Sequence, residues 1–185
     1  MLAAAPKPIH HTDGDTEKDN SSVRVSVVKF PRRGVDGMSQ QSKVSRKTAV
    51  SKPELQRLLT DLPFVRNYGL RVHSISHGEC VLSVPFQQAF ERPGGIVSGL
   101  VFMAAADVAM WLAIKTLLGS DDGCVTAEMK TSFLAAAKEQ DFRCRAKILK
   151  LGKRLVYGVA ECVSLDRKLL THHTLTYIRP GGDGR

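Results

Sequence analysis

Apolar residues are spaced differently in different parts of the 185-residue chain. Residues 1–50 are polar and rich in Ser, Lys, Arg and Gly. Only "SSVRVSVVKF" alternates as a strand would, and its neighbours offer it no apolar partner. The composition predicts a disordered or poorly ordered extension over 1–50. Met38 stands before the first helix signal and is a candidate start. That signal is "SKPELQRLL". Ser51 is placed as N-cap, Pro53 lies in the first turn, and Glu54 three residues on completes a capping box. Leu55, Leu58 and Leu59 then repeat at helical spacing. Two alternating runs follow, "LRVHSIS" and "CVLSVPF", read as half-buried strands joined by His77-Gly78-Glu79. The loop "QQAFERPGG" leads into the longest apolar run, which stops near Gly119.

Four further strands are predicted: "CVTAEMKTSFL", "DFRCRAKILKL", "LVYGVAECVSL" and "LLTHHTLTYIR". Their short joints make them antiparallel neighbours. One helix too apolar to face water, beside a long antiparallel sheet, predicts an α+β domain over 51–180 with the sheet wrapped on the helix. Residues 181–185 are a C-terminal tail. The helix faces left uncovered by the sheet predict a second copy of the chain, so a dimer or tetramer.

The apolar segment 96–114 is also the one transmembrane candidate. It contains Ser98, Gly99 and Asp107, and a central charge costs roughly 2.5–3.5 kcal/mol on insertion. A buried core helix fits better, and no membrane span is expected. The N-terminus has no hydrophobic signal core, and Asp13, Asp15, Glu17 and Asp19 disfavour a mitochondrial presequence. A cytoplasmic location is the expectation. The four cysteines, Cys80, Cys124, Cys144 and Cys162, include no Cys-x-x-Cys pair, so a zinc site is not expected and reduced thiols are. No metal or cofactor is called for. A formal charge of +9 suits an anionic partner,. No zinc finger, basic zipper or RNP-like pattern accompanies it, and nucleic acid is not expected.

Candidate chemistry starts with Asp107. Ionised carboxylates are rarely buried unless paired. It either bonds a backbone amide or a distant Arg, or serves as a general base or nucleophile. Ser98 is a good N-cap for the helix. The free N–H groups at that helix start, with side-chain-less Gly99 among them, have the makings of an oxyanion hole. A turn that merely needs glycine gives the same sequence. Asp107 lies eight residues after Gly99, about 12 Å along the helix and about 80° round it. One carbonyl cannot touch both on one helix, so cooperation requires the acid of a second chain. Thr126 is expected to share a strand face with Glu128, opposite Val125 and Ala127, and to hold a water or simply to be a strand threonine. Arg143, Arg145 and Lys147 share one strand face. They form either a solvated surface or, with Lys153 and Arg154 in the following turn, a landing place for phosphates. The histidines show no triad or metal spacing and are read as structural or surface.

Residues from about 60 to 180 resemble the hot-dog fold thioesterases of the phenylacetate-pathway (PaaI) type. The resemblance is carried by "GGIVSGLVFMAAADVAMWLA", "VTAEMKTSFLAAA" and "ILKLGKRLVYGVAECVSLDRKLLTHHTLTYI". It implies a hot-dog fold, with a long central helix wrapped by an antiparallel sheet, and hydrolysis of acyl-CoA at a subunit interface. The first glycine of the family's His-Gly-Gly motif, whose N–H polarises the thioester carbonyl, maps to Gly99. The acid of the opposite subunit maps to Asp107, and the hydroxyl residue of the next strand maps to Thr126. Ser98 stands for the motif His, Leu100 for its second Gly, and Arg92 for an Asn six residues before the His. The substrate-binding set implied is Arg92, Ser98, Lys153 and Arg154. These departures leave an alternative: a non-catalytic hot-dog module that binds acyl-CoA or a protein partner.

Overall fold

The computed structural model describes residues 46–180. The expectations for residues 1–45, including Met38 and the strand-like run, and for the tail 181–185 lie outside the described residues. Helix α1 (Lys52–Asp61) opens on the expected capping box. Ser51 Oγ accepts from Glu54 N–H, and the Glu54 carboxylate accepts from Ser51 N–H,. Leu55 and Leu59 are buried. A one-turn helix α2 (Pro63–Arg66) follows; four residues are too few for a periodic signal, and only Pro63 marks its start.

Strands β1 (Arg71–Ser76) and β2 (Glu79–Val84) form a hairpin. The expected loop after it contains a small two-stranded ribbon, β3 (Glu91–Arg92) with β4 (Ile96–Val97). Helix α3 (Gly99–Leu118) then runs through the centre of the domain. Strands β5 (Val125–Phe133), β6 (Phe142–Leu151), β7 (Leu155–Ser164) and β8 (Leu169–Ile178) complete a six-stranded sheet in the order β1-β2-β6-β7-β8-β5. All pairings are antiparallel. The sheet curls over α3, whose residues Ala105, Ala106, Ala109, Leu112, Ala113 and Ile114 are fully buried. By length and hydropathy alone α3 passes for a membrane span, but 67% of its apolar window is buried in the fold. It is the core helix, as its apolar faces require.

Alternation sets the sheet faces. On β6, Phe142, Cys144 and Ala146 are buried while Arg143, Arg145 and Lys147 are exposed,. The basic face is not bare. Glu79 on β2 meets Arg145 at 2.7 Å and Lys147 at 3.3 Å. Partial burial pushes the Glu79 carboxyl up, but its two cationic partners outweigh this and hold it below the usual value,.

One expectation fails at β5. Thr126 pairs with Tyr177, and Glu128 pairs with the next residue, Thr176. A bulge at Ala127 therefore breaks the alternation, so Thr126 turns toward the helix and Glu128 away from it. The expected shared face of Thr126 and Glu128 does not exist.

Two of the uncovered surfaces among the described residues lie on β5 and α3. Strand β5 is a sheet edge, with Val125 and Phe133 59% and 58% exposed. On α3, Leu100, Met103, Ala104, Asp107 and Trp111 are not buried. At about 100° per residue these five lie on one stripe, centred on Asp107.

Candidate active site

Asp107 is held by residues of two strands. Thr126 Oγ1 on β5 donates to Asp107 Oδ1 at 2.7 Å. Tyr177 Oη on β8 lies 2.6 Å from the same oxygen and 2.9 Å from the Asp107 backbone carbonyl. The described residues give Oδ2 no partner. It is not a buried orphan, since no buried side-chain oxygen lacks a bond among the described residues. Oδ2 therefore faces open space. That space is a cavity of about 350 Å³ walled by Leu62, Phe64, Val108, Trp111 and Val125, with Cys124 beside them. A carboxylate with one oxygen pinned by hydroxyls and the other presented to an apolar cavity is suited to take a proton or attack a carbon.

The polar groups behind the cavity are already engaged. Lys115 lies under the Trp111 ring at 4.4 Å. It also meets Asp122 at 2.9 Å, with both side chains nearly buried. Burial pushes the Cys124 thiol up to about 12, and neighbouring Asp122 adds to this,.

The helix start is a separate place. A second cavity, of about 380 Å³, is lined by Arg92, Ile96, Gly99, Phe102, Phe133 and Leu134. Gly99 is the first residue of α3, so its N–H has no acceptor within the helix. The ring of Phe133 lies over it. A Cβ built on Gly99 would come within 2.9 Å of two Phe133 ring carbons, so only glycine admits this approach. Ser98 is the N-cap: its Oγ lies 3.4 Å from Leu100 N–H, and its carbonyl accepts from Val101. Leu100 projects outward, 71% exposed.

The sequence-derived candidates thus fall into four groups. Asp107 and Thr126 share one cavity, Gly99 and Arg92 share another, and Ser98 caps the helix just before Gly99. Lys153 and Arg154 line neither cavity. They sit in the β6–β7 turn, where Arg179 fastens the loop: its N–H donates to the Arg154 carbonyl at 2.8 Å, and its guanidinium to the Gly152 carbonyl at 2.8 Å. The turn lies at the sheet end where Leu155, Ile178 and Val125 stand in register. Sequence reasoning missed Tyr177 and Trp111. Tyr177 is an inward position of an alternating strand, which reads as core, and nothing local to β8 reveals that its hydroxyl meets a helix residue 70 positions earlier.

Among the described residues no group of three or more His, Cys, Asp or Glu is placed to hold a metal. His173 is fully buried and satisfied by hydroxyls: Thr131 Oγ1 lies 2.9 Å from Nδ1, and Thr171 Oγ1 lies 2.7 Å from Nε2.

The six-stranded sheet wrapped on one helix is a hot-dog fold, and comparison with known proteins agrees. The family profile described as Thioesterase superfamily matches residues 94–171. A protein of Saccharolobus solfataricus named "Putative esterase" is 35% identical over 107 residues, which span 58% of this chain and 71% of that protein. The structure of a single-site mutant of the phenylacetic acid degradation protein PaaI from Thermus thermophilus is 25% identical. It covers 64% of this chain and 100% of that one with a TM-score of 0.59. The structure of a conserved protein from Pseudomonas aeruginosa is 27% identical over 67% of this chain and 98% of that one, with a TM-score of 0.63. The chain belongs to the thioesterase superfamily.

Proposed function

We propose that this protein is an acyl-CoA thioesterase of the PaaI type, working as a homodimer or a pair of dimers with each site shared between two chains. The observation that carries the reading is the Asp107 carboxylate: pinned at Oδ1, open at Oδ2, and placed on an uncovered stripe of a mostly buried helix. Burying that stripe and the β5 edge against a second copy removes both exposed surfaces at once. It also supplies what one chain lacks. Gly99 and Asp107 line different cavities on a single helix, and an antiparallel second helix brings the partner's Asp107 toward Gly99.

In this reading Gly99 N–H donates to the thioester carbonyl and stabilises the oxyanion as it forms. Asp107 of the other chain takes the proton of an attacking water, or attacks directly. Thr126 steadies the carboxylate, and its free lone pair orients the water. The tetrahedral intermediate collapses to the free acid and the thiolate, which recovers a proton. Arg92 reaches the carbonyl region or an anionic part of the substrate, with Ser98 setting the helix start beside it. Lys153 and Arg154 offer cations to the carrier's phosphates. Residues 51–180 are the working domain, with Ala49 and Val50 already joined to it, the residues before them an extension and 181–185 a tail.

The test is release of thiol from a panel of acyl-CoAs by the purified full chain, read with a thiol reagent. Turnover above the buffer rate supports the reading. Tight acyl-CoA binding without release favours the second reading, a binding module. That second reading is motivated by Leu100, which projects into solvent at the helix opening where the resembled family has glycine.

A further inference from the structure

We propose that Tyr177 is the positioning residue of the site, holding the Asp107 carboxylate so that Oδ2, and not Oδ1, points at the substrate. This rests on the reading of Asp107 as base or nucleophile. The geometry is specific. A carboxylate has two equivalent oxygens and a side chain that rotates about its terminal bond. Thr126 alone would leave a single hinge at one oxygen. Tyr177 adds a second hydroxyl to the same oxygen, at 2.6 Å, from a different strand. Its hydroxyl also lies 2.9 Å from the backbone carbonyl of Asp107, so the phenol is fixed to the helix as well as to the acid.

Tyr177 cannot wander. Only 2% of it is exposed, and it stands directly across from Thr126 in the β5–β8 register. The two hydroxyls are thus built onto neighbouring strands at the bulge. Without the extra residue at Ala127, the strands could not keep Thr126 and Glu128 on opposite faces.

The phenol keeps its proton and donates to Asp107. Burial pushes its ionisation well above the usual tyrosine range, and the neighbouring Asp107 carboxylate pushes it further,. It therefore keeps its proton wherever Asp107 is ionised. The other groups near the pair are Cys124 in the same cavity and Asp122, which is held by Lys115 at 2.9 Å. Neither bonds the Asp107 carboxylate, which leaves Thr126 and Tyr177 to set its orientation.

The experiment is Tyr177→Phe, which keeps the ring and its packing but removes the hydroxyl. Losing one of two donors to an ionised acceptor lowers kcat by roughly ten- to a hundredfold and changes KM by less than about threefold. Replacing Tyr177 by a ring-fluorinated tyrosine, a stronger donor of the same shape, displaces the carbon-13 resonance of the Asp107 carboxyl at a fixed pH. This second substitution decides the matter if Tyr177→Phe folds poorly. Wild-type kcat in Tyr177→Phe, or an Asp107 carboxyl resonance that the fluorinated ring leaves in place, overturns the proposal. Failure of the parent reading looks different: the wild type releases no thiol from any acyl-CoA. The carbon-13 resonance of the Asp107 carboxyl at a fixed pH then still reports the bond from Tyr177, and a resonance that Tyr177→Phe leaves unmoved again overturns the pairing.

Discussion

Replacing Asp107 by Asn separates chemistry from architecture. The amide is nearly isosteric with the carboxylate, and its oxygen still accepts from Thr126 and Tyr177 at the positions now 2.7 Å and 2.6 Å away. What is lost is the charge. A hydrogen bond to an ionised group contributes about 1.5–3 kcal/mol and a neutral one about 0.5–1.5, so two bonds weaken by roughly 1–3 kcal/mol together. Against this, a half-buried charge no longer has to be desolvated. The net change in stability is at most about 2 kcal/mol, a fall in melting temperature of no more than roughly 8 °C. Activity behaves otherwise. The Asn side chain cannot take a proton from water or attack a carbonyl, and loss of a general base costs about 10²–10⁴ in rate. The assay is steady-state thiol release alongside thermal melting. Asp107→Asn should melt within that range and turn over at least a hundredfold more slowly. A folded variant with undiminished turnover refutes the role given to Asp107.

Two further predictions concern the helix start and the thiols. Gly99→Ala puts a methyl group within 2.9 Å of the Phe133 ring. That ring is 58% exposed and can swing away, and alanine favours helix, so the melting temperature should hold within a few degrees; alanine keeps the N–H, but its methyl group obstructs the carbonyl's close approach and lowers turnover at least tenfold, and unchanged turnover contradicts that approach. All four cysteines are buried and free, and burial raises Cys80 from the ordinary thiol value of 9.0 to about 12. The unfolded thiol ionises first as pH rises, so the stability it confers is complete below about pH 9 and is lost between 9 and 12. Urea midpoints should fall over that window, less steeply in Cys80→Ala, and a slope that Cys80→Ala leaves unaltered would sink the assignment.

Much of this architecture is legible in the sequence because it follows from periodicity. The apolar run after Gly95, with Asp107 at its centre, reads better as a core helix than as a membrane span, and β6 alternates strongly enough to set Cys144 and Arg145 on opposite faces. The capping box at Ser51 is a local signal and forms as read. What escapes the sequence is set by pairings distant along the chain. The strand order puts β8 between β7 and β5, which lays Tyr177 beside Thr126 and against Asp107. The bulge at Ala127 depends on that register too, and simple alternation misplaces Glu128. Glu79 neutralises part of the basic strand from β2, some 66 residues away. Short elements such as α2 and the β3–β4 ribbon carry too few residues to show a period.

The central claim is that each site takes Asp107 from one chain and Gly99 from the other, and mixed dimers test it most directly. Asp107→Asn and Gly99→Ala proteins are each weakly active alone. Unfolding and refolding them together in equal amounts makes about half of the dimers mixed by random pairing. Each mixed dimer holds one site with neither substitution and one with both. The account predicts that activity rises on mixing to about a quarter of the wild-type rate. Activity that stays at the mean of the two separate variants would place Asp107 and Gly99 in sites of a single chain and contradict the account.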